Sequence, residues 1–220
     1  MNLALYGHPF SSYTQKALIA LYENELPFDF KIVGPEVPEN FDRLKKAWPL
    51  AKFPLLEAHG ANVFEATSII EYLHVKHPGP ARLIPDDVDA AIETRMFDRV
   101  FDNYVMTPMN AIVRNALRAQ EDRHASSVTE ARSQLDAIYA WLDERMASRK
   151  WAIGDTFTLA DCAAAPSLFY ADWVHPIAPV HVHLRSYRKR LLARPSYERA
   201  NNEARPYRHY FPLGAPDRDR

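Results

Sequence analysis

The chain has 220 residues, of which 47% are hydrophobic and 25% are charged, and its formal net charge is -1. This composition is typical of one large or two small folded domains and excludes a disordered chain. The near-neutral charge gives no overall attraction to nucleic acid. No segment reaches the roughly 18 apolar residues that a membrane-spanning helix needs. We therefore expect a cytoplasmic protein without a nucleic-acid or membrane partner.

Glycine and cysteine usage narrows the function further. The six glycines are isolated, so there is no GxGxxG or GxxxxGK[ST] loop to hold a nucleotide phosphate. The single cysteine, Cys162, cannot form an intramolecular disulfide, a CxxC pair or a cysteine zinc cluster, and it suits a reducing compartment. Three nearby histidines match no metal-ligand motif, so we expect no metal: His175, His181 and His183.

The first part of the chain alternates between strand and helix signals. Residues 3–6 and 28–33 have strand patterns, and residues 14–25 between them have helical periodicity. A polar helix is predicted at residues 39–48. The apolar segments 54–56 and 63–64 flank a turn and predict a hairpin, which a third helix containing residues 69–73 follows.

Strand signals stop at the Pro/Gly cluster of residues 77–80. Helical periodicity then predicts helices at residues 88–119, 127–149, 159–173 and 184–193. We expect an α/β domain with the order βαβ-α-ββα followed by an all-α helical bundle. The predicted limits are residues 1–77 for the first domain, 78–86 for a linker, 87–210 for the helical domain and 211–220 for a tail.

Two motifs predict helix caps. Ser12 and Gln15 fit the capping box S-x-x-Q, which would make Ser12 the cap of the first helix and leave Ser11 free. Thr158 and Asp161 fit T-x-x-D at the start of an apolar helix, a structural role. Cys162, inside that helix, is predicted to be a small buried apolar residue.

Three blocks occur in an order and spacing that resemble the cytosolic glutathione transferases. They are LYGHPFSS at residues 5–12, PLAKFPLL at 49–56 with FEATSIIEYL at 64–73, and GDTFTLAD at 154–161. The resemblance covers nearly the whole chain and is nearest to the serine-type, bacterial-like phi, theta and zeta patterns. It implies a thioredoxin-like N-terminal domain, glutathione as co-substrate, a small hydrophobic electrophile and a homodimer.

The resemblance assigns the catalytic hydroxyl to Ser11, at the start of the first helix. The nucleophile is a thiolate, and a hydroxyl donor beside a helix N-terminus stabilises it. Ser12 is placed in the same glutathione site. Ser12 and Tyr6 stay open as alternative donors to the sulfur.

The other binding residues also come from the resemblance. Phe53-Pro54 matches the family's cis-proline block, and Lys52 is placed to meet the glycyl carboxylate of glutathione. Glu65 is expected at the γ-glutamyl end. Ala66 stands where the family usually has serine, so backbone N–H groups, with a hydroxyl from Thr67 or Ser68, would have to hold the carboxylate.

Ala66 and the basic segment 185–208 also fit a non-catalytic binding module of the same fold, and a glutathione-dependent isomerase or peroxidase stays open. Ser11, Lys52 and Glu65 favour the enzyme, because a scaffold needs no three groups spaced for one tripeptide. The function predicted is therefore conjugation of glutathione to an electrophile.

Overall fold

The computed structural model describes residues 3–216. Its first seven elements follow the predicted order βαβ-α-ββα, which is thereby confirmed. They are β1 (Leu3–Gly7), α1 (Ser12–Glu23), β2 (Asp29–Ile32), α2 (Pro38–Ala47), β3 (Leu55–Ala58), β4 (Ala61–Phe64) and α3 (Ala66–Lys76).

The strands form one mixed sheet in the order β2-β1-β3-β4. β1 is parallel to β2 and antiparallel to β3, and β3 is antiparallel to β4. Tyr6 pairs with Leu55, and Leu55 pairs with Phe64. The end of β1, the start of β3 and the end of β4 therefore lie together, and the segments attached to them begin side by side.

The two faces of the sheet pack against different helices. Leu3 and Leu5 of β1 belong to the main core, which also contains buried residues of α1 and α3. Tyr6 points to the other face and packs with Leu44 of α2 and with Leu55. Because successive side chains of a strand point to opposite faces, β1 takes part in both cores.

Gly7 permits the close approach of α1 to the end of β1. A Cβ atom at this position would lie 2.6 Å from the side chain of Thr14 in α1. Any larger residue would push the start of α1 away from the sheet.

The second part of the chain is helical, as predicted. It contains α4 (Val88–Val100), a π-helical turn (Phe101–Met106), α5 (Thr107–Ala116), α6 (Ala125–Met146), α7 (Leu159–Val174), α8 (Val182–Leu192) and α9 (Pro195–Ala204). Short 3-10 turns lie at Gln120–Asp122 and Arg205–Tyr210. All 16 residues of α7 are buried, so α7 forms the centre of this part.

The prediction of one regular helix over residues 88–119 is wrong at its middle. In the π-helical turn the N–H of Thr107 donates to the carbonyl of Asp102, five residues back, and the Thr107 hydroxyl donates to the same carbonyl at 3.1 Å. Pro108 follows directly. Its ring lacks an N–H and crowds the preceding turn, which the wider π turn accommodates.

Helix α9 was not predicted. Its sequence, PSYERANNEA, is mostly polar, and two of its buried residues are Ser196 and Asn201. Just before it, Arg194 pairs with Glu23 at the end of α1, with Nη2 2.5 Å from Oε2. Only Tyr197, Ala200 and Ala204 give it a buried apolar stripe, so tertiary packing contributes much of its stability.

The capping box at the start of α7 is confirmed. Asp161 accepts from the N–H of Thr158 at 2.8 Å, from the N–H of Ala152 at 2.9 Å and from the Tyr187 hydroxyl at 2.6 Å. Burial raises the pKa of Asp161 to about 6 despite these bonds, which lower it. Cys162 beside it is buried, as predicted, and burial raises its pKa.

Between Lys76 and Val88 the described chain contains no helix or strand, and the predicted linker 78–86 falls within this stretch. The domain limits themselves stay predictions. Met1, Asn2 and residues 217–220 of the predicted tail lie outside the described residues. At the start of that tail Phe211 is buried, with its ring 5.0 Å from that of Trp173. Within residues 3–216, no helix has the length and apolar composition needed to cross a membrane.

Candidate functional site

A cleft of about 210 Å³ opens where the three strand ends meet. Lys52, Phe53 and Pro54, which precede β3, line one side of the cleft. Glu65 and Ala66, at the start of α3, line another. The structure thus brings together five residues that the resemblance assigned to one site.

Five further residues line the same cleft and were not predicted. No short motif marks them, because they come from separate elements. They are Tyr13 of α1, Trp48 after α2, Arg99 of α4, and Asp102 and Asn103 of the π-helical turn.

Ser11, not Ser12, caps α1. The Ser11 side chain accepts a hydrogen bond from the N–H of Thr14 at 3.3 Å, while Ser12 is already the first helical residue and is buried. The predicted Ser12–Gln15 capping box is therefore wrong, because the helix already begins at Ser12, one residue earlier than a box capped by Ser12 requires. A hydroxyl that accepts the capping bond keeps its own proton for donation. Capping and donation to a sulfur are thus compatible in Ser11.

Three predicted residues do not line the cleft: Ser11, Ser12 and Thr67. Ser11 is half-buried at the start of α1, and Tyr13, two residues further on, forms part of the cleft wall. Ser11 is therefore close in sequence to the cleft wall but is not part of its lining.

The peptide bond between Phe53 and Pro54 is cis, as the resemblance predicts. Pro54 is buried directly before β3, whereas Lys52 is exposed at the cleft rim. The Lys52 ammonium is accessible to a ligand carboxylate as a mobile point charge.

Helix α3 begins in a constrained way. Glu65, the residue before it, has φ 64° and ψ 126°, a left-handed conformation that a side chain disfavours. Within residues 3–216, the Glu65 side chain makes no capping hydrogen bond to the first turn. Ala66 has no hydroxyl to offer. The N–H groups of the first turn of α3 therefore point out of the end of the helix that lies at the cleft. Neither Glu65 nor Ala66 caps them with a side chain.

The Thr67 hydroxyl, which the resemblance offers to the ligand carboxylate, has partners inside the fold. Thr67 Oγ1 accepts from Lys16 Nζ at 2.9 Å, donates to Asp98 Oδ2 at 2.9 Å and also contacts the guanidinium of Arg99. The hydroxyl is thus engaged in a polar cluster between α1, α3 and α4, and the assignment of Thr67 to the glutathione site stays a prediction. The exposed Ser68 stays open.

That polar cluster carries most of the buried charge near the cleft. Lys16 is 1% exposed, and its Nζ lies 2.5 Å from Asp98 and 2.8 Å from Asp102. Arg99 contacts both aspartates from the cleft side, at 3.0 Å for Asp102. Burial raises the pKa of Asp102, an effect that Lys16 opposes. The cluster fixes Arg99 and Asp102 in the cleft wall.

Two tyrosines near Ser11 lie in different places. Burial, with smaller contributions from Asp102 and Glu65, raises the pKa of Tyr13 to about 12, so its phenol stays protonated at neutral pH. Tyr6, an alternative sulfur donor, faces α2 and not the cleft. Burial raises the pKa of Tyr6, and Glu57 adds to the effect.

The histidines considered as metal ligands and the basic segment 185–208 include residues with partners inside the fold. His175 Nε2 lies 2.6 Å from Asp136 Oδ1, and no group of three potential metal ligands occurs among the described residues. In the basic segment 185–208, Arg190 donates to the Lys150 carbonyl at 3.0 Å, and Arg199 lies 3.9 Å from the ring centre of Tyr22. Part of the positive charge of this segment is therefore used within the fold.

Comparisons with known proteins agree with the geometry. The family model for the N-terminal domain of glutathione S-transferases matches residues 5–81, and the model for their C-terminal domain matches residues 105–195. A glutathione S-transferase from Silene vulgaris is 28% identical, over 90% of this chain and 96% of its own length. The glutathione S-transferase GstB of Escherichia coli is 26% identical, over 88% of this chain and 95% of its own.

A solved structure has the same architecture. It is a glutathione S-transferase from Methylobacterium radiotolerans in complex with glutathione sulfonate, and it is 28% identical to this chain with a TM-score of 0.77. The match covers 91% of this chain and 94% of the other.

Proposed function

The chain belongs to the glutathione S-transferase family, and on that premise we propose that it holds glutathione as a thiolate and transfers it to a small hydrophobic electrophile. One observation carries the proposal: the Ser11 hydroxyl caps α1 as an acceptor and keeps its proton, two residues before Tyr13 in the wall of the cleft that Pro54 and Glu65 also line.

Ser11 acts on the sulfur in this proposal. A free thiol has a pKa of about 8.5 and is mostly protonated at neutral pH. A hydrogen bond from the Ser11 hydroxyl, with the positive end of α1 behind it, favours the thiolate. Tyr13 lines the same cleft, and its protonated phenol can donate a hydrogen bond to the same ligand.

The peptide part of glutathione has matching groups around the cleft. Lys52 meets the glycyl carboxylate, and Glu65 meets the γ-glutamyl ammonium. The γ-glutamyl carboxylate lies at the first turn of α3, where N–H groups form an anion site. Arg99, held in the wall by Asp98, supplies the positive charge that compensates for the hydroxyl absent at Ala66.

A homodimer fits one exposed surface. Val88, Ile92 and Met96 recur at four-residue spacing on α4 and are 70%, 60% and 49% exposed. Such an apolar stripe is typical of a face that a second copy covers. Cys162, buried and unpaired, fits a cytoplasmic location.

The direct test measures thiolate formation and conjugation together. Ultraviolet absorbance of the enzyme–glutathione complex gives the pKa of the bound thiol, and an activated aryl halide serves as the electrophile. We expect Ser11→Ala to raise that pKa toward the value of free glutathione and to lower kcat about 100-fold, the usual cost of removing one charge-stabilising donor. Ser12→Ala tests the alternative donor: if Ser11 acts on the sulfur, this variant leaves the pKa of the bound thiol unchanged and changes kcat by less than about twofold.

Other outcomes identify the rivals. An unchanged thiol pKa in Ser11→Ala would remove Ser11 from its role and direct attention to Tyr13→Phe. Absence of glutathione binding by the wild-type protein would favour a binding module. Thiolate formation without conjugation would favour an isomerase or peroxidase.

A further inference from the structure

Two buried side chains hold the loop that carries Ser11. The Pro9 carbonyl accepts from Gln15 Nε2 at 2.9 Å, and the Phe10 carbonyl accepts from the Tyr170 hydroxyl at 3.1 Å. Gln15 Nε2 also donates to the Tyr170 oxygen at 3.0 Å. Gln15 is 0% exposed and Tyr170 4%, so both donors are buried.

The hydrogen-bonding capacity of these donors is fully used. The Gln15 amide has two N–H groups, one for Pro9 and one for Tyr170, and the single hydroxyl proton of Tyr170 goes to Phe10. The His8 carbonyl accepts the N–H of Ser11 at 2.9 Å. Each of the three carbonyls that precede Ser11 therefore accepts a defined hydrogen bond.

The two donors come from opposite parts of the fold. Gln15 belongs to α1, in the N-terminal part, and Tyr170 belongs to the fully buried α7. The rings of Phe10 and Tyr170 also meet edge to face, with centroids 5.4 Å apart. Because α7 is surrounded by packed residues on all sides, it is a rigid support for the loop.

We propose that Gln15 and Tyr170 are positioning residues that fix residues 8–11 so that the Ser11 hydroxyl meets the sulfur of glutathione. The proposal rests on the proposed function. Neither side chain lines the cleft, so each acts through the loop. Removal of either donor takes away the hydrogen bond of one loop carbonyl and lets the loop move, and small misplacements of a donor weaken transition-state contacts.

The variant Tyr170→Phe tests this inference, because it removes one hydroxyl and keeps the ring. We expect a higher pKa of the bound glutathione thiol, a kcat lower by about three- to tenfold, and a KM for glutathione within about twofold of wild type. Gln15→Met should act in the same direction.

The matched control is Tyr187→Phe. Tyr187 is equally buried in the same part of the chain, and its hydroxyl bonds to Asp161 instead of the loop. This control should lower Tm and leave the thiol pKa at the wild-type value. A Tyr170→Phe protein that loses stability with an unchanged thiol pKa would overturn the inference.

A double variant separates positioning from independent effects. If Tyr170 acts through Ser11, adding Tyr170→Phe to Ser11→Ala should raise the thiol pKa no further and lower kcat by less than about twofold. Full addition of the two losses would contradict the inference.

A readout without glutathione keeps the two proposals apart. Amide hydrogen exchange at Phe10 and Ser11 in the free protein should be at least about tenfold faster in Tyr170→Phe, and unchanged in Tyr187→Phe. Unchanged exchange in Tyr170→Phe would refute the inference by itself. Failure of the wild-type protein to bind glutathione would refute the proposed function, and it would be seen before any variant is compared.

Discussion

Two helix starts flank the cleft, and the chain completes them in different ways. At α1, the Ser11 side chain accepts the N–H of Thr14, and the loop before it is hydrogen-bonded at each carbonyl. At α3, Glu65 has a positive φ and, within residues 3–216, offers no side-chain cap. The first start presents a hydroxyl proton, and the second presents backbone N–H groups.

The difference matches the two anions of the proposed ligand. A thiolate is one atom and is stabilised by one well-directed donor, whereas a carboxylate has two oxygens that several N–H groups can share. Lys16 connects the two starts, because it belongs to α1 and donates to Thr67 of α3. The distance between the two anion sites is thereby set from inside the fold.

The largest effect is expected from breaking that connection. Lys16→Met leaves Asp98 buried and Asp102 nearly so without their main cation, and should lower the free energy of unfolding by about 3–5 kcal/mol. Urea denaturation measures the loss. Lys31→Met, which removes an exposed pair with Asp29 at 3.6 Å, is the control and should change stability by less than about 0.5 kcal/mol. Equal losses of stability in the two variants would show that the buried Lys16 cluster stabilises the fold no more than an exposed ion pair does.

A hydroxyl added at the start of α3 should affect the proposed carboxylate site and not the proposed thiolate site. Ala66→Ser adds a hydroxyl at the proposed carboxylate site and should tighten the Kd for glutathione by up to about tenfold. The pKa of the bound thiol should stay unchanged, since the sulfur lies at the other start. Calorimetry gives the Kd, and thiolate absorbance gives the pKa. A changed pKa with an unchanged Kd would reverse our assignment of the two starts.

Replacing Glu65, which has a positive φ, should change folding stability and glutathione binding in opposite directions. Glu65→Gly accepts φ 64° without a side-chain penalty and should raise the free energy of unfolding by about 1 kcal/mol. The same change removes the carboxylate proposed for the γ-glutamyl ammonium and should weaken glutathione binding. Thermal unfolding and calorimetry measure the two effects. A less stable variant would indicate that the side chain stabilises the fold.

The smallest effect concerns pH. The Phe10 N–H donates to His8 Nδ1 at 3.2 Å, and burial lowers the pKa of His8. As the pH falls, His8 is therefore protonated in the unfolded chain at a higher pH than in the folded protein. The contribution of neutral His8 to the free energy of unfolding is fully present above about pH 6.5. It is lost as the pH falls from there toward the lowered pKa of His8 in the folded protein.

His8→Asn keeps an acceptor for the Phe10 N–H but does not titrate. Between pH 7.5 and pH 5.5 we expect the wild-type protein to lose up to about 1 kcal/mol more stability than the variant. Urea titrations at both pH values give this difference. Equal losses of stability in the wild-type protein and the variant would show that protonation of His8 does not affect folding stability.

Local patterns predicted much of the fold. The alternation of Leu3 and Leu5 with Tyr6, the hairpin and the Thr158–Asp161 capping box all depend on residues close in sequence, which is why they could be recognised. The same local signals failed where two serines are adjacent: both residues are good caps by type, and the structure uses Ser11.

The rest of the site depends on contacts between distant segments. Gln15 fits a capping box by sequence, yet its amide meets a tyrosine 155 positions away. Lys16 looks like an ordinary surface lysine and is one of the most buried large side chains. Such roles are set by tertiary packing, and no periodicity or short motif in a single sequence reports them.

The π-helical turn has a consequence for how this chain tolerates changes in length. One residue corresponds to about 100° of rotation in an α-helix, so the extra residue in the turn sets the angle between the faces of α4 and α5. A deletion at Asn103 would leave a continuous helix but rotate Met109 and Ile112 away from the core. Asn103 lines the cleft and lies in the turn that keeps the register between α4 and α5, so insertions and deletions there are expected to be far more harmful than substitutions.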